Sequence, residues 1–153
     1  MNGAHLHLIL GHLAPIGGGF TLILFVFALV QKTKELKRTA MWFAFLTGVA
    51  AFIASMTGNS AEETILKISG MTKLQIEPHI SYSLYYLISI TTIGIIALLG
   101  LFLSRASTAV LHKFVIIVFI LSILASFLGA MTSYTGGKIR HNEVENLLPT
   151  KPR

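Results

Sequence analysis

Four long stretches without a charged side chain, 13–30, 39–57, 80–103 and 114–134, leave this chain few ways to fold. Each holds roughly 18 residues or more, and a helix rising about 1.5 Å per residue needs that many to cross most of a ~30 Å hydrocarbon layer. Only 12% of the residues are charged and 54% are hydrophobic, whereas a soluble domain carries about a quarter charged residues. The expectation is an all-α protein: one four-helix transmembrane bundle with short interfacial helices in an outer loop, 58–79, and an outer tail, 135–153. At 153 residues the chain has no room for a second domain.

The net charge is +6, yet no basic helix face alternates with aromatics, so membrane lipid is the expected partner and nucleic acid is not. Lys32, Lys34, Lys37 and Arg38 crowd the turn after the first stretch. Arg105, His112 and Lys113 crowd the turn after the third. The positive-inside bias puts both turns in the cytoplasm and both termini on the other side, in a multi-pass protein. The N-terminus has neither a basic leader nor a small-residue cleavage site, so the first stretch is expected to stay in the membrane.

Between the second and third stretches, Ser60 with Glu63 and Thr72 with Gln75 each have capping-box spacing, with Gly70 as a stop between them. Two short interfacial helices are expected there. Pro78 suits the first turn of the third span, which sets His79 near the interface beside Tyr82, Tyr85 and Tyr86. The Gly17-Gly18-Gly19 triplet admits either a neighbouring helix or a flat ligand. Ala51 with Ser55, and Ser122, Ala125, Ser126, Gly129 and Ala130, offer small faces for helix packing. Gly136-Gly137 is expected to break the fourth span, with the tail returning across the bundle. A faint twofold pattern pairs His12 with His79 and Thr57-Gly58 with Thr135-Gly136, each Thr-Gly step being followed by acids, Glu62 and Glu63 or Glu143.

The chain has no cysteine, which excludes disulfides, thiolate zinc sites, iron–sulfur clusters and covalently attached haem. No ionisable side chain lies mid-span, which argues against a proton pump or an ion-coupled transporter. Five of the six histidines, His5, His7, His12, His79 and His141, fall at one face. Two imidazoles from different helices can clamp a b-type haem. His12 and His79 are the first choice as axial ligands and His141 or His7 the substitutes, with Lys138 and Arg140 available to haem propionates or a carboxylate. A second reading places non-haem iron, copper or zinc among His12, Glu63, His79 and His141. A third makes the protein an accessory scaffold subunit of a larger respiratory complex. Beside these stands the plain alternative: an interfacial histidine is stable without a ligand, Glu62 and Glu63 can simply charge a helix start, and Lys138 and Arg140 can simply anchor to acidic lipid.

The segments HLHLILGHLAPIGG, TGNSAEETILKISGM with IEPH, and TGGKIRHNEV resemble, in this order, a bacterial family of small four-span membrane domains of unknown function. Its signature is a His-Pro pair, then a His-Phe-Pro-Ile-Ala type step opening the first span. The resemblance implies a four-helix domain of the bacterial inner membrane, often beside or fused to c-type cytochromes, and so a part in electron transport. It carries over His7, His12, Glu63, His79, Arg140 and His141. The sequence departs from the signature at Leu8, where the family has proline, and at Leu13-Ala14-Pro15, which inserts one residue.

Overall fold

The computed structural model describes residues 3–68 and 72–147. Every element among them is helical: α1 (Gly3–Gln31), α2 (Lys34–Met56), α3 (Gly58–Ile68), α4 (Lys73–Leu103) and α5 (Thr108–Leu147). All but α3 are long and apolar enough to cross a membrane. The chain is thus an all-α four-helix bundle of the multi-pass membrane type.

The four long helices run up and down in sequence order. α1 packs beside α2 and α5, and α4 packs beside the same two, so α1 and α4 stand diagonally opposite. The amphipathic α3 lies mainly against α1. One end of the bundle carries the start of α1 and the histidines, and we call it the histidine end. The other, the lysine end, holds the α1–α2 turn and the start of α5. That turn is tight because Lys32 takes the left-handed conformation, φ 58°, at a cost of about 1 kcal/mol for a residue with a side chain.

Each long helix buries a seam that advances by alternate steps of four and three. On α1 it is Ala14, Gly18, Thr21, Phe25 and Ala28; on α5 it is Leu111, Val115, Val118, Ser122, Ala125, Gly129 and Thr132. α2 contributes Ala40, Ala44, Thr47, Gly48, Ala51 and Ala54, and α4 contributes Tyr86, Ile90, Ile93, Gly94, Ala97 and Gly100. A repeat near 3.5 residues keeps such seams facing one another along nearly antiparallel helices. Large side chains, among them Phe20, Phe27, Phe52, Leu84, Ile95, Ile120 and Phe127, point outward. Small inside and large outside is the arrangement lipid permits, because an outward phenylalanine costs nothing there and an inward glycine lets backbones meet.

The hydroxyls within the seams are satisfied locally. Thr21 donates to the Gly17 carbonyl at 2.7 Å, Ser122 to Val118 at 2.7 Å and Thr132 to Leu128 at 2.9 Å. They therefore offer little to a permeating ion. Tyr86 differs, because its hydroxyl crosses the bundle from α4 and donates to the Ala14 carbonyl of α1 at 2.8 Å. Gly18 and Gly129 make room for it, since a Cβ on either would stand 3.0 Å from the tyrosine. Tyr86→Phe is expected to cost about 1 kcal/mol, measured as a lower thermal midpoint in detergent. Tyr86→Ala is expected to cost roughly 3–5 kcal/mol by leaving a cavity.

Several expectations change. α1 opens at Gly3 and α5 runs unbroken through Gly136-Gly137 to Leu147, so both helices continue past the expected span limits of 13 and 134 at this end. In a helix already held by tertiary contacts two glycines lower stability by about 1 kcal/mol each without forcing a break. The tail therefore continues α5 and does not fold back as far as it is described. Among the described residues only one separate helix, α3, lies in the loop. Thr72, expected to start a second, starts α4, its amide donating to Gln75 Oε1 at 2.8 Å, and the helix passes through Pro78. Ser60 lies inside α3 and accepts from Thr64 on its carbonyl, so it caps nothing. Gly70 lies outside the described residues. The buried face of α5 follows Ser122, Ala125, Gly129 and Thr132, leaving Ala130 exposed, and on α2 Ser55 is exposed.

Candidate functional site: two anchored histidines

Two histidines turn toward neighbouring helices at the histidine end, one from each of the diagonal helices. His7 of α1 donates from Nδ1 to the Ala54 carbonyl at the end of α2, 2.9 Å away. His79 of α4 donates from Nδ1 to the Thr132 carbonyl of α5 at 3.1 Å, with Thr135 Oγ1 at 3.3 Å from the same nitrogen. A carbonyl only accepts, so Nδ1 carries the proton in each ring and Nε2 keeps its lone pair in the neutral form.

The surroundings of the two rings match. The Ala54 carbonyl also accepts the Thr57 hydroxyl at 2.8 Å, and the Thr132 carbonyl also accepts the Thr135 hydroxyl at 3.1 Å. The next residue in each case is a glycine against the ring: a Cβ on Gly58 would stand 3.7 Å from His7 Cε1, and one on Gly136 would stand 3.1 Å from His79 Cε1. A single offset of 72 residues relates His7 to His79 and carries the α1 seam from Ala14 to Ala28 onto the α4 seam from Tyr86 to Gly100. An offset of 78 relates Ala54-Thr57-Gly58 to Thr132-Thr135-Gly136 and carries Ala44, Thr47 and Ala51 onto Ser122, Ala125 and Gly129. The two helix pairs therefore repeat in register.

The twofold pattern expected from sequence is thus present, but its α1 histidine is His7 and not His12. His12 is exposed on the outer face of α1. His141 is exposed on α5, five residues beyond Gly136, and Lys138 is exposed with its ammonium 4.7 Å from the Tyr134 ring centroid. The Arg140 and Glu143 side chains lie outside the described residues. Glu63 is exposed on α3 and pairs with Lys67 at 3.8 Å, one turn along the same helix. Its neighbour Glu62 is the more enclosed of the two and reaches Lys73 at the start of α4, 3.8 Å away. Such pairs contribute a few tenths of a kcal/mol. Among the described residues no group of three or more histidines and carboxylates gathers as a metal would require.

The glycine triplet serves packing at two of its positions. A Cβ on Gly17 would stand 3.1 Å from Thr47 Oγ1, one on Gly18 3.0 Å from the Tyr86 hydroxyl, and one on Gly19 meets nothing within 4 Å.

Compared with known proteins, the chain matches no family model, no curated protein and no solved structure.

What the arrangement can do follows from the imidazoles. A ligating histidine is characteristically held by a hydrogen bond from its other nitrogen to a carbonyl or carboxylate, which fixes the tautomer and raises the basicity of the free nitrogen. Both His7 and His79 are held in that way. Two protein ligands suffice for a haem, whose porphyrin supplies the other four nitrogens, whereas a non-haem ion needs a third and usually a fourth protein or solvent donor.

Proposed function

We propose that this is a membrane redox protein that holds a b-type haem between His7 and His79 and passes electrons at the histidine end. The observation that carries the reading is the matched anchoring of two imidazoles, each fixed at Nδ1 and, among the described residues, without a partner at Nε2, on diagonal helices of a bundle that repeats in register. When bound, haem supplies reversible one-electron chemistry. The chain's residues do the rest. The Ala54 and Thr132 carbonyls fix the ring tautomers, Gly58 and Gly136 give the rings space, and Tyr86 closes the bundle beneath them. Lys138 places a cation at the same end for a propionate or an acidic lipid.

The family resemblance supports a bacterial inner-membrane setting, with a c-type cytochrome or a larger respiratory complex as electron partner. The lysine-rich turns support termini on the periplasmic side.

The test is an oxidised and dithionite-reduced visible spectrum of protein purified from haem-replete cells, with a pyridine haemochrome assay and metal analysis on the same sample. A sharp reduced α band with stoichiometric iron is expected. Iron, copper or zinc without porphyrin absorbance would replace haem by a non-haem site. Neither metal nor porphyrin would leave the accessory-subunit reading.

A further inference from the structure

The lysine end holds a second feature that the histidine site does not use. A cleft of about 480 Å³ opens there between the α1–α2 turn and the first turn of α5, lined by Lys32, Lys34, Lys37, Thr108, Ala109 and His112 together with Leu111. Three lysines thus border one space, and among the described residues no carboxylate lines it. Two helices also begin at it. Lys34 opens α2, whose N-cap Thr33 makes no side-chain capping bond. Thr108 opens α5, where the Ser107 hydroxyl and carbonyl accept from Val110 and Leu111. That leaves the Thr108 and Ala109 amides as the uncapped donors of the α5 first turn. The positive ends of two helix dipoles therefore add to the lysines.

Lysines near a membrane interface usually extend their ammonium into water. Lys37 buries its stem in this way: the residue is only 9% exposed, lines the cleft, and has no carboxylate or hydrogen-bond acceptor among the described residues. His112 likewise lines the cleft with Nδ1 buried and without a hydrogen-bond partner. Like charges gathered beside two helix N-termini repel one another, and an anion entering the cleft relieves that repulsion. Free amide donors and lysines around one space are together what a phosphate group requires.

We propose that this cleft is a phosphate site, occupied by the phosphate of an anionic lipid headgroup or by free phosphate. Lys37 and the Thr108 and Ala109 amides form its floor, Lys32 and Lys34 its rim, and His112 a further contact. The cleft lies at the opposite end of the bundle from His7 and His79, so the assignment does not depend on haem.

Full-length protein in neutral detergent is titrated with inorganic phosphate, following the amide resonances of Thr108 and Ala109. In parallel, native mass spectrometry compares retention of phosphatidylglycerol with that of phosphatidylcholine. Either phosphate or phosphatidylglycerol is expected to bind, and Lys37→Gln is expected to weaken that binding about tenfold. Lys32→Gly provides a variant that cannot fail by misfolding, because glycine relieves the left-handed strain at φ 58° while removing the charge. It is expected to hold or raise the thermal midpoint and still to weaken binding. Arg105→Gln, whose guanidinium rests 4.3 Å from the Phe102 ring centroid away from the cleft, is expected to leave binding unchanged. Shifts of the two amides with free phosphate would identify a soluble-ion site, and selective retention of phosphatidylglycerol alone would identify a lipid site. Binding of neither probe, or an equal loss with Arg105→Gln, would overturn the proposal.

Discussion

Gly48→Val is expected to separate α2 from α4 and to lower stability in detergent by about 3 kcal/mol or more. At this crossing the two backbones meet with nothing between them. A Cβ on Gly48 would stand 3.0 Å from the Ile90 carbonyl oxygen and 3.2 Å from Gly94 Cα. Neither is a flexible side-chain end, so relief requires the helices to move apart. The facing glycine is less confined, because a Cβ on Gly94 would meet Gly48 Cα at 3.4 Å and two carbonyl oxygens at 3.5 Å, which is ordinary contact. Alanine in a helix gains about 1 kcal/mol over glycine. Gly94→Ala is therefore expected to be neutral or stabilising, whereas Gly48→Ala loses about 1–2 kcal/mol by overpacking. Thermal unfolding of the three variants checks this, and equal effects of the two alanines would show that the crossing is looser than the distances say.

His7→Ala and His79→Ala are each expected to abolish haem retention, a loss on the order of a hundredfold in affinity, while His12→Ala leaves the spectrum intact. Loss of one ring hydrogen bond costs the fold only about 1 kcal/mol, so both variants should still purify as folded bundles. Far-UV circular dichroism and the thermal midpoint separate that small cost from the loss of pigment. The in-register repeat makes the two substitutions equivalent, and a matched loss from both is the signature of ligation by the pair. A spectrum that survives His7→Ala but disappears with His12→Ala would return the α1 ligand to the position first expected from sequence.

The choice between His7 and His12 shows how far the sequence carried the site. That a histidine of α1 and His79 would lie at one end of the bundle was legible, because the Thr-Gly steps and the count of crossings put both there. Which histidine it would be depended on helical phase. The seam of α1 passes through Gly18 and Ala14, and seven residues before Ala14 it reaches His7; His12 lies two residues off that line. Phase is normally read from hydropathy. In a helix whose every face is apolar, hydropathy does not vary around the axis, and only side-chain size separates the face toward the bundle from the face toward lipid. The same blindness explains the α5 seam, where Ser126 and Ala130 looked as eligible as Ala125 and Gly129.

The extent of the helices failed for a different reason. Glycine pairs, a proline and polar residues signal helix ends in a sequence, and each is an end only where nothing else supports the helix. Gly136 sits where the His79 ring needs room, and α5 continues past it because α4 packs alongside.

The sequence by itself determined that the chain is a four-helix membrane bundle, that five of its six histidines fall at one end, and that thiolate chemistry is excluded. These depend on the length of uncharged runs and on residue identity, which are local properties. Only the tertiary structure decided which groups meet: His7 with Ala54, His79 with Thr132, and Tyr86 with Ala14. Each contact joins helices far apart in the chain, and its partners are chosen by small residues that fit where two backbones approach, a complementarity that belongs to pairs of helices and is written in neither one alone.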